Sequence, residues 1–205
     1  MSPVLLYVVG AAGVGKSTLM RNLTASWSGV ALPLPLPHTR YLLPDGRSGV
    51  ELGRRRADFS GTDALSMSIA AVADEFVAGM PADVVLGEGQ RLGTVRFLSG
   101  ALVAGYAVGL VLLTASPALL DVRCSARPKL QNGPWRQASL TRALSLTRWA
   151  GETPGVRVLV LSSEREPLRL ARSVTDWMLG LGEDGPAAGG SSPPRAPVGG
   201  PGSEA

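Results

Sequence analysis

Apolar runs of strand length recur along this chain, uninterrupted at Val4–Val9, Val84–Leu86 and Ala107–Thr114 and broken by Arg157 alone at Val156–Leu161. Runs without polar alternation suit strands covered on both faces, as in a parallel sheet. Helical stretches lie between them. They are Thr18–Leu23 continuing to about Trp27, Ala64–Gly79, Thr94 to about Ala104, Pro117–Ala126, Trp135–Ala150 and Glu166–Leu179. In the second of these, Leu65, Ile69, Val72, Phe76 and Val77 form one apolar face. Ala31–Leu36 alternates apolar residues with prolines and reads as a short or edge strand. Strands alternating with helices predict an α/β fold around a parallel sheet.

Two stretches lack this rhythm. Residues 37–62 read as a long irregular loop, with a turn at Pro44-Asp45-Gly46 and a charge run at Arg54-Arg55-Arg56. Loops of that length in compact domains usually serve a function. From Gly182 onward the chain is Gly, Pro, Ser and Ala with almost no large apolar side chain, a composition that stays disordered. The expected organisation is one domain over residues 1–181 and a disordered tail over 182–205. Phe97 to Leu120 runs 24 residues without a charge, long enough to span a bilayer. Gly100, Gly105, Gly109 and Ser116-Pro117 interrupt it, so it reads instead as a helix end, a turn and a buried strand.

The first apolar run breaks into Gly10-Ala11-Ala12-Gly13-Val14-Gly15-Lys16-Ser17 and then Thr18. This fits G-x-x-x-x-G-K-[ST] at every fixed position, with the strand before it and the helix after it that the pattern requires. Glycines at 10, 13 and 15 let the loop turn tightly and aim backbone N–H groups inward at phosphate oxygens. The following helix adds the positive end of its dipole. Lys16 is the residue to reach the β- and γ-phosphates of a nucleoside triphosphate, and Ser17 to offer its hydroxyl to Mg²⁺. Residues 10–18 are thus the candidate ATP-binding set.

Charge agrees with an anionic ligand without pointing to nucleic acid. The net charge is +4, and the segment from Gly182 carries three acids against one arginine, leaving +6 on the rest. One cysteine, Cys124, rules out an internal disulfide and a cysteine zinc site, and one histidine, His38, rules out a multi-histidine metal site. His38 reads as a loop residue and Cys124 as a buried small side chain. The amino terminus lacks the basic stretch of a signal peptide, so the expected location is the cytoplasm.

Further candidates gather where parallel strands end, because ligands bind there. Glu88 follows the strand at 84–86 and is placed to hold Mg²⁺ or to position the attacking group, whereas Asp83 lies at that strand's wrong end. Arg91 turns back toward phosphate or stays on the surface. Arg40, with one of Arg54, Arg55 and Arg56, is a candidate clamp for the phosphate of a second substrate, because arginine neutralises and orients an anion together. Phe59-Ser60-Gly61-Thr62-Asp63 enters a helix. Either Thr62 or Asp63 caps that helix, or the pair faces the acceptor, with Asp63 on a base edge or hydroxyl. Residues 123–142, with Arg123, Arg127, Lys129, Gln131, Asn132, Trp135, Arg136 and Arg142, look like a lid that closes cations over phosphates.

On these residues the chain resembles P-loop kinases of the nucleotide- and nucleoside-kinase group. More narrowly, it resembles ATP-binding kinase-like proteins encoded by phages of actinobacteria. The resemblance rests on Gly10–Ser17, Arg40, Gly61-Thr62-Asp63-Ala64-Leu65, Gly87-Glu88-Gly89-Gln90-Arg91, and Gln131-Asn132 with Trp135-Arg136. It implies a three-layer P-loop NTPase fold with helices on both faces of a parallel five-stranded sheet of strand order 2-3-1-4-5. It also implies catalysis by Lys16, Glu88 and a lid arginine, Arg136 or Arg142, with Mg²⁺ on Ser17 and Glu88. Neither Asp-Arg-Tyr nor Asp-Arg-His follows the strand at 84–86. The acceptor stays open between a nucleoside or nucleotide and a polynucleotide 5′ end. The other class of function is an ATP-binding switch or ATPase that acts on a partner protein.

Overall fold

The computed structural model describes residues 2–54, 61–126 and 133–184. Seven strands form one sheet: β1 (Val4–Gly10), β2 (Ser28–Leu32), β3 (His38–Leu42), β4 (Ser48–Leu52), β5 (Val84–Glu88), β6 (Ala107–Thr114) and β7 (Val156–Ser162). Six α-helices accompany them: α1 (Lys16–Leu23), α2 (Ala70–Ala78), α3 (Val95–Val103), α4 (Pro117–Ser125), α5 (Gly133–Glu152) and α6 (Pro167–Asp184). A 3-10 turn, Thr62–Ala64, precedes α2.

The strand order is β2-β3-β4-β5-β1-β6-β7. Strands β4, β5, β1, β6 and β7 pair in parallel, while β2 pairs antiparallel with β3 and β3 with β4. Both the count and the order therefore differ from the five-stranded 2-3-1-4-5 sheet of the expectation. The cause lies in residues 28–52. Each strand there is five residues long and interrupted by glycine or charge, and β2 is largely solvent-exposed. Such strands are fixed by antiparallel partners and carry little apolar periodicity of their own.

Alternation along β1 explains the layers. Leu5, Tyr7 and Val9 point to one face, where α2, α3 and α5 cover them with Ala73, Val77, Phe97, Leu98, Ala143 and Leu146. Val4, Leu6 and Val8 point to the other, against Leu19, Met20 and Leu23 of α1 and Leu170, Val174 and Met178 of α6. With β1 wholly buried between two parallel neighbours, its carboxyl end is held in the middle of the sheet.

Several local expectations need correction. The loop at 37–62 contains β3 and β4, and an antiparallel bridge between Arg54 and Gly61 closes its far part. Arg55, Arg56, Phe59 and Ser60 lie outside the described residues. His38 is a buried strand residue whose ring packs 4.9 Å from that of Phe76. The helix expected over 64–79 begins at Ala70, because Leu65 is extended. The first helix stops at Leu23, and α6 runs on to Asp184, past the expected boundary at 181. The rest of the tail lies outside the described residues. The apolar stretch 97–120 divides among α3, β6 and the start of α4, and no helix among the described residues is long and apolar enough to cross a membrane.

Asp83 fastens the opposite end of the sheet. Its Oδ2 accepts from the Ser48 amide at 2.8 Å and from the Ser48 hydroxyl at 2.6 Å, joining β4 to β5. The bonds from the Ser48 side chain and then its backbone hold the Asp83 carboxyl below its ordinary value. A lowered folded-state pKa stabilises the fold above the unfolded value and loses that effect as pH falls through the folded one. Asp83→Ala is expected to cost about 1 kcal/mol at pH 7 by urea unfolding. The difference from wild type should begin to shrink below about pH 4, where the unfolded chain's aspartate protonates, and be gone once the folded one does too.

Candidate active site

The centre of the sheet delivers two chain segments to one place. β1 ends at Gly10, in register with Leu113 of β6, and β5 ends at Glu88, in register with Val8. The loop after β1 turns through Gly13, at φ +82°, and Gly15, at φ +104°, into the first turn of α1. A Cβ on Gly13 would stand 2.7 Å from Cys124 Sγ, so α4 leaves room for glycine alone. Lys16 Nζ donates to the carbonyls of Gly10 and Ala11, each at 3.1 Å. The ammonium is thereby fixed against the loop it belongs to.

Groups from distant helices grip the outside of this loop. The Ala12 amide donates to Ser139 Oγ at 3.0 Å. Arg123 donates through Nη1 to the Val14 carbonyl at 3.1 Å and to Ser163 Oγ at 2.9 Å, and through Nη2 to the Ser163 carbonyl at 3.0 Å. Arg123 thus ties α4, the loop and the turn after β7 into one unit. Arg123 and Ser163 border a cavity of about 350 Å³, lined also by Gly13, Gly15, Thr18 and Arg165 among others.

On the β5 side, the Glu88 residue is 3% exposed. Thr62 Oγ1 donates to its carbonyl at 2.7 Å, which uses the one proton of that hydroxyl. The 2.8 Å contact between Thr62 Oγ1 and the Tyr7 hydroxyl is therefore a bond donated by tyrosine. Burial above all pushes the Tyr7 phenol well above its ordinary value, so it stays a neutral donor. Gly61 fits directly against the Glu88 side chain. Next to it, Asp63 Oδ1 accepts the amides of Gln90 at 2.7 Å and Arg91 at 3.1 Å. Arg142 Nη1 reaches from α5 to Gln90 Oε1 at 2.9 Å. Asp63, Gln90, Arg91, Trp135 and Arg142 line a second cavity of about 450 Å³.

Among the residues singled out from sequence, the structure brings Gly10–Thr18, Glu88, Asp63, Arg91 and Arg142 to this end of the sheet. Asp63 does not cap α2, which starts seven residues later; it braces the turn after β5. Arg40 is not brought there. It is an exposed residue in the middle of β3, opposite Val50, which itself pairs with Val85, three residues short of Glu88. Arg136 forms an ion pair with Asp121 at 2.5 Å. Arg127, Lys129, Gln131 and Asn132 lie outside the described residues.

Ser139 was not among the sequence candidates, whereas Thr62 stood there beside Asp63 as a cap or an acceptor-facing residue and instead ties Tyr7 to the Glu88 carbonyl. Ser139 had a signal: it shares a helical face with the buried Ala143, Leu146 and Ala150, and a polar residue in such a stripe has a partner across it. Among the described residues no cluster of three His, Cys, Asp or Glu side chains can hold a metal. Mg²⁺ beside nucleotide phosphates needs only one or two protein oxygens, the rest coming from phosphate and water. A hydroxyl at Ser17 and a carboxylate at Glu88 meet that requirement.

A family model described as P-loop Nucleotide Kinase3 matches residues 1–174. No curated protein matches the chain. Among solved structures, a sugar kinase from Janibacter sp. HTCC2649 shares the fold with a TM-score of 0.51 at 13% identity, covering 87% of this chain and 95% of that one. A gluconokinase from Sinorhizobium meliloti 1021 does so with a TM-score of 0.51 at 15% identity, covering 89% and 95%. At such identities the likeness is one of fold.

Proposed function

Since the chain belongs to the P-loop Nucleotide Kinase3 family, we propose that it is a Mg·ATP-dependent phosphotransferase that moves the γ-phosphoryl group to a small acceptor, a nucleoside or nucleotide. The observation that carries this reading is the arrangement at the sheet centre. A complete phosphate loop and a buried Glu88 end neighbouring strands, and a separate cavity bearing Arg91 and Arg142 opens beyond Glu88. A site that only held and hydrolysed ATP has no need of that second cavity.

In this scheme residues 10–18 hold the triphosphate, and the cavity beside Arg123, Ser163 and Arg165 takes the base. Lys16 places its charge over the β- and γ-phosphates. Ser17 and Glu88 would hold Mg²⁺, which when bound neutralises charge between those phosphates. The acceptor hydroxyl lies in the Asp63–Arg142 cavity, its proton passing to Glu88 or to water that Glu88 orients. The acceptor oxygen forms a bond to the γ-phosphorus as the bond to the β-γ bridging oxygen breaks, and ADP leaves. The chain's contribution is positioning and charge. Arg142, already in the acceptor cavity, suits the lid arginine's role better than Arg136, which reaches phosphate only by leaving Asp121. Arg91 and Asp63 bind or orient the acceptor, and Arg40 has no part. The chain up to the end of α6 at Asp184 forms the catalytic unit, with the remaining residues as its tail, in the cytoplasm. The kinship to kinase-like proteins of actinobacterial phages belongs to this same proposal.

The test is incubation with γ-labelled ATP, Mg²⁺ and a panel of nucleosides, nucleotides, sugars and 5′-hydroxyl oligonucleotides. A labelled nucleoside or nucleotide is the expected result. A labelled oligonucleotide or sugar moves the acceptor class, and labelled free phosphate alone, or intact ATP, overturns the kinase reading in favour of a switch.

A further inference from the structure

We propose that Ser139 of α5 is a positioning residue for Lys16, acting through one peptide unit of the phosphate loop. The inference rests on the nucleotide-binding reading above but not on the identity of the acceptor.

The argument begins with the Ala11–Ala12 peptide. It is a rigid plane, and in its trans form the C=O and N–H point in opposite directions. The Ala12 N–H donates to Ser139 Oγ at 3.0 Å, and the Ala11 C=O accepts Lys16 Nζ at 3.1 Å. Whatever fixes the first bond therefore fixes the direction of the second. Ser139 is 1% exposed, and its own proton goes to the Arg136 carbonyl at 2.8 Å within α5. Its oxygen is left as an oriented acceptor on a helix. Ala12 is 4% exposed, so its amide is cut off from bulk water and needs that acceptor.

The rest of the loop's outer surface is fixed in the same manner from elsewhere, with Arg123 on the Val14 carbonyl. The plane that carries the Ala11 anchor is held from within the loop by the Val14 amide, which donates to the Ala11 carbonyl at 3.3 Å, and from outside the loop by the Ser139 bond. Without it, the buried N–H has reason to rotate toward another acceptor, and the Ala11 carbonyl swings away from Lys16. A serine 123 residues from the lysine thus sets where its ammonium stands.

The experiment is calorimetric titration of the full chain with Mg·ATP, with no acceptor present. Ser139→Ala is expected to weaken Mg·ATP binding about tenfold. Should the alanine variant fold poorly, Ser139→Cys, close in size but a weak acceptor, is expected to give the same loss. The deciding measurement is a double-mutant cycle with Lys16→Met. In the Lys16→Met background, Ser139→Ala should cost little further affinity, because there is no ammonium left to place. Wild-type binding followed by equal binding in the Ser139 variants, or fully additive losses in the cycle, overturns the inference and leaves the function standing. Wild-type protein that takes up no Mg·ATP overturns both.

Discussion

Lys16→Ala is expected to lower the rate of phosphoryl transfer by about 100- to 1,000-fold, the range found when one preorganised donor to developing charge is removed. The ammonium is not a freely moving charge. Two carbonyls of its own loop, Gly10 and Ala11, hold it at 3.1 Å each, so little reorganisation is needed when negative charge shifts along the triphosphate. Nucleotide affinity should fall as well, because the same charge neutralises the ground state. Lys16→Arg should not restore the rate. A planar guanidinium cannot share two converging carbonyls and a phosphate as a compact three-donor ammonium does. Steady-state turnover of labelled ATP across the three proteins is the measurement. An alanine variant with unchanged kcat and KM would mean that the loop binds something other than a triphosphate.

That experiment tests the part of the site most legible in the sequence, and the reason is locality. Gly10 to Ser17 are contiguous, and their geometry follows from glycine spacing, a preceding apolar run and the helix that begins at Lys16. Glu88 was legible one step further out, because a buried run ending in an acid must end at the carboxyl edge if the sheet is parallel. The strands at 28–52 were not, since an antiparallel pair such as Val30 with Arg40 is written in the pairing of two segments rather than in either one. Arg40 illustrates the cost: its chemistry suited an anion, but its place in β3 is set by partners the sequence does not announce. The contacts that hold the site together, Ala12 to Ser139 and Tyr7 to Thr62, join residues far apart in the chain. Periodicity marks such residues as buried without saying what they meet.

Gly61→Ala is expected to damage both stability and turnover. Gly61 sits at φ 65°, ψ −146°, a region close to the one that glycine alone occupies, and forcing alanine there costs about 1–3 kcal/mol. The methyl would also stand 2.4 Å from Glu88 Cγ and 2.9 Å from the Glu88 carbonyl oxygen. The side chain can shift, but the carbonyl is tied into β5 and accepts from Thr62, so the overpacking adds about 1–3 kcal/mol. We therefore expect a loss of about 3 kcal/mol or more in denaturant unfolding. Turnover should fall further than stability explains, because the group displaced is the carboxylate proposed to serve the reaction. Gly46→Ala is the control. Gly46 also has positive φ, 85°, but nothing stands within 4 Å of an added Cβ. It should cost about 1 kcal/mol, the left-handed penalty by itself, and leave turnover unchanged. Equal losses in the two variants would show that the Glu88 environment yields to the methyl, and that Gly61 matters only for the bend it makes.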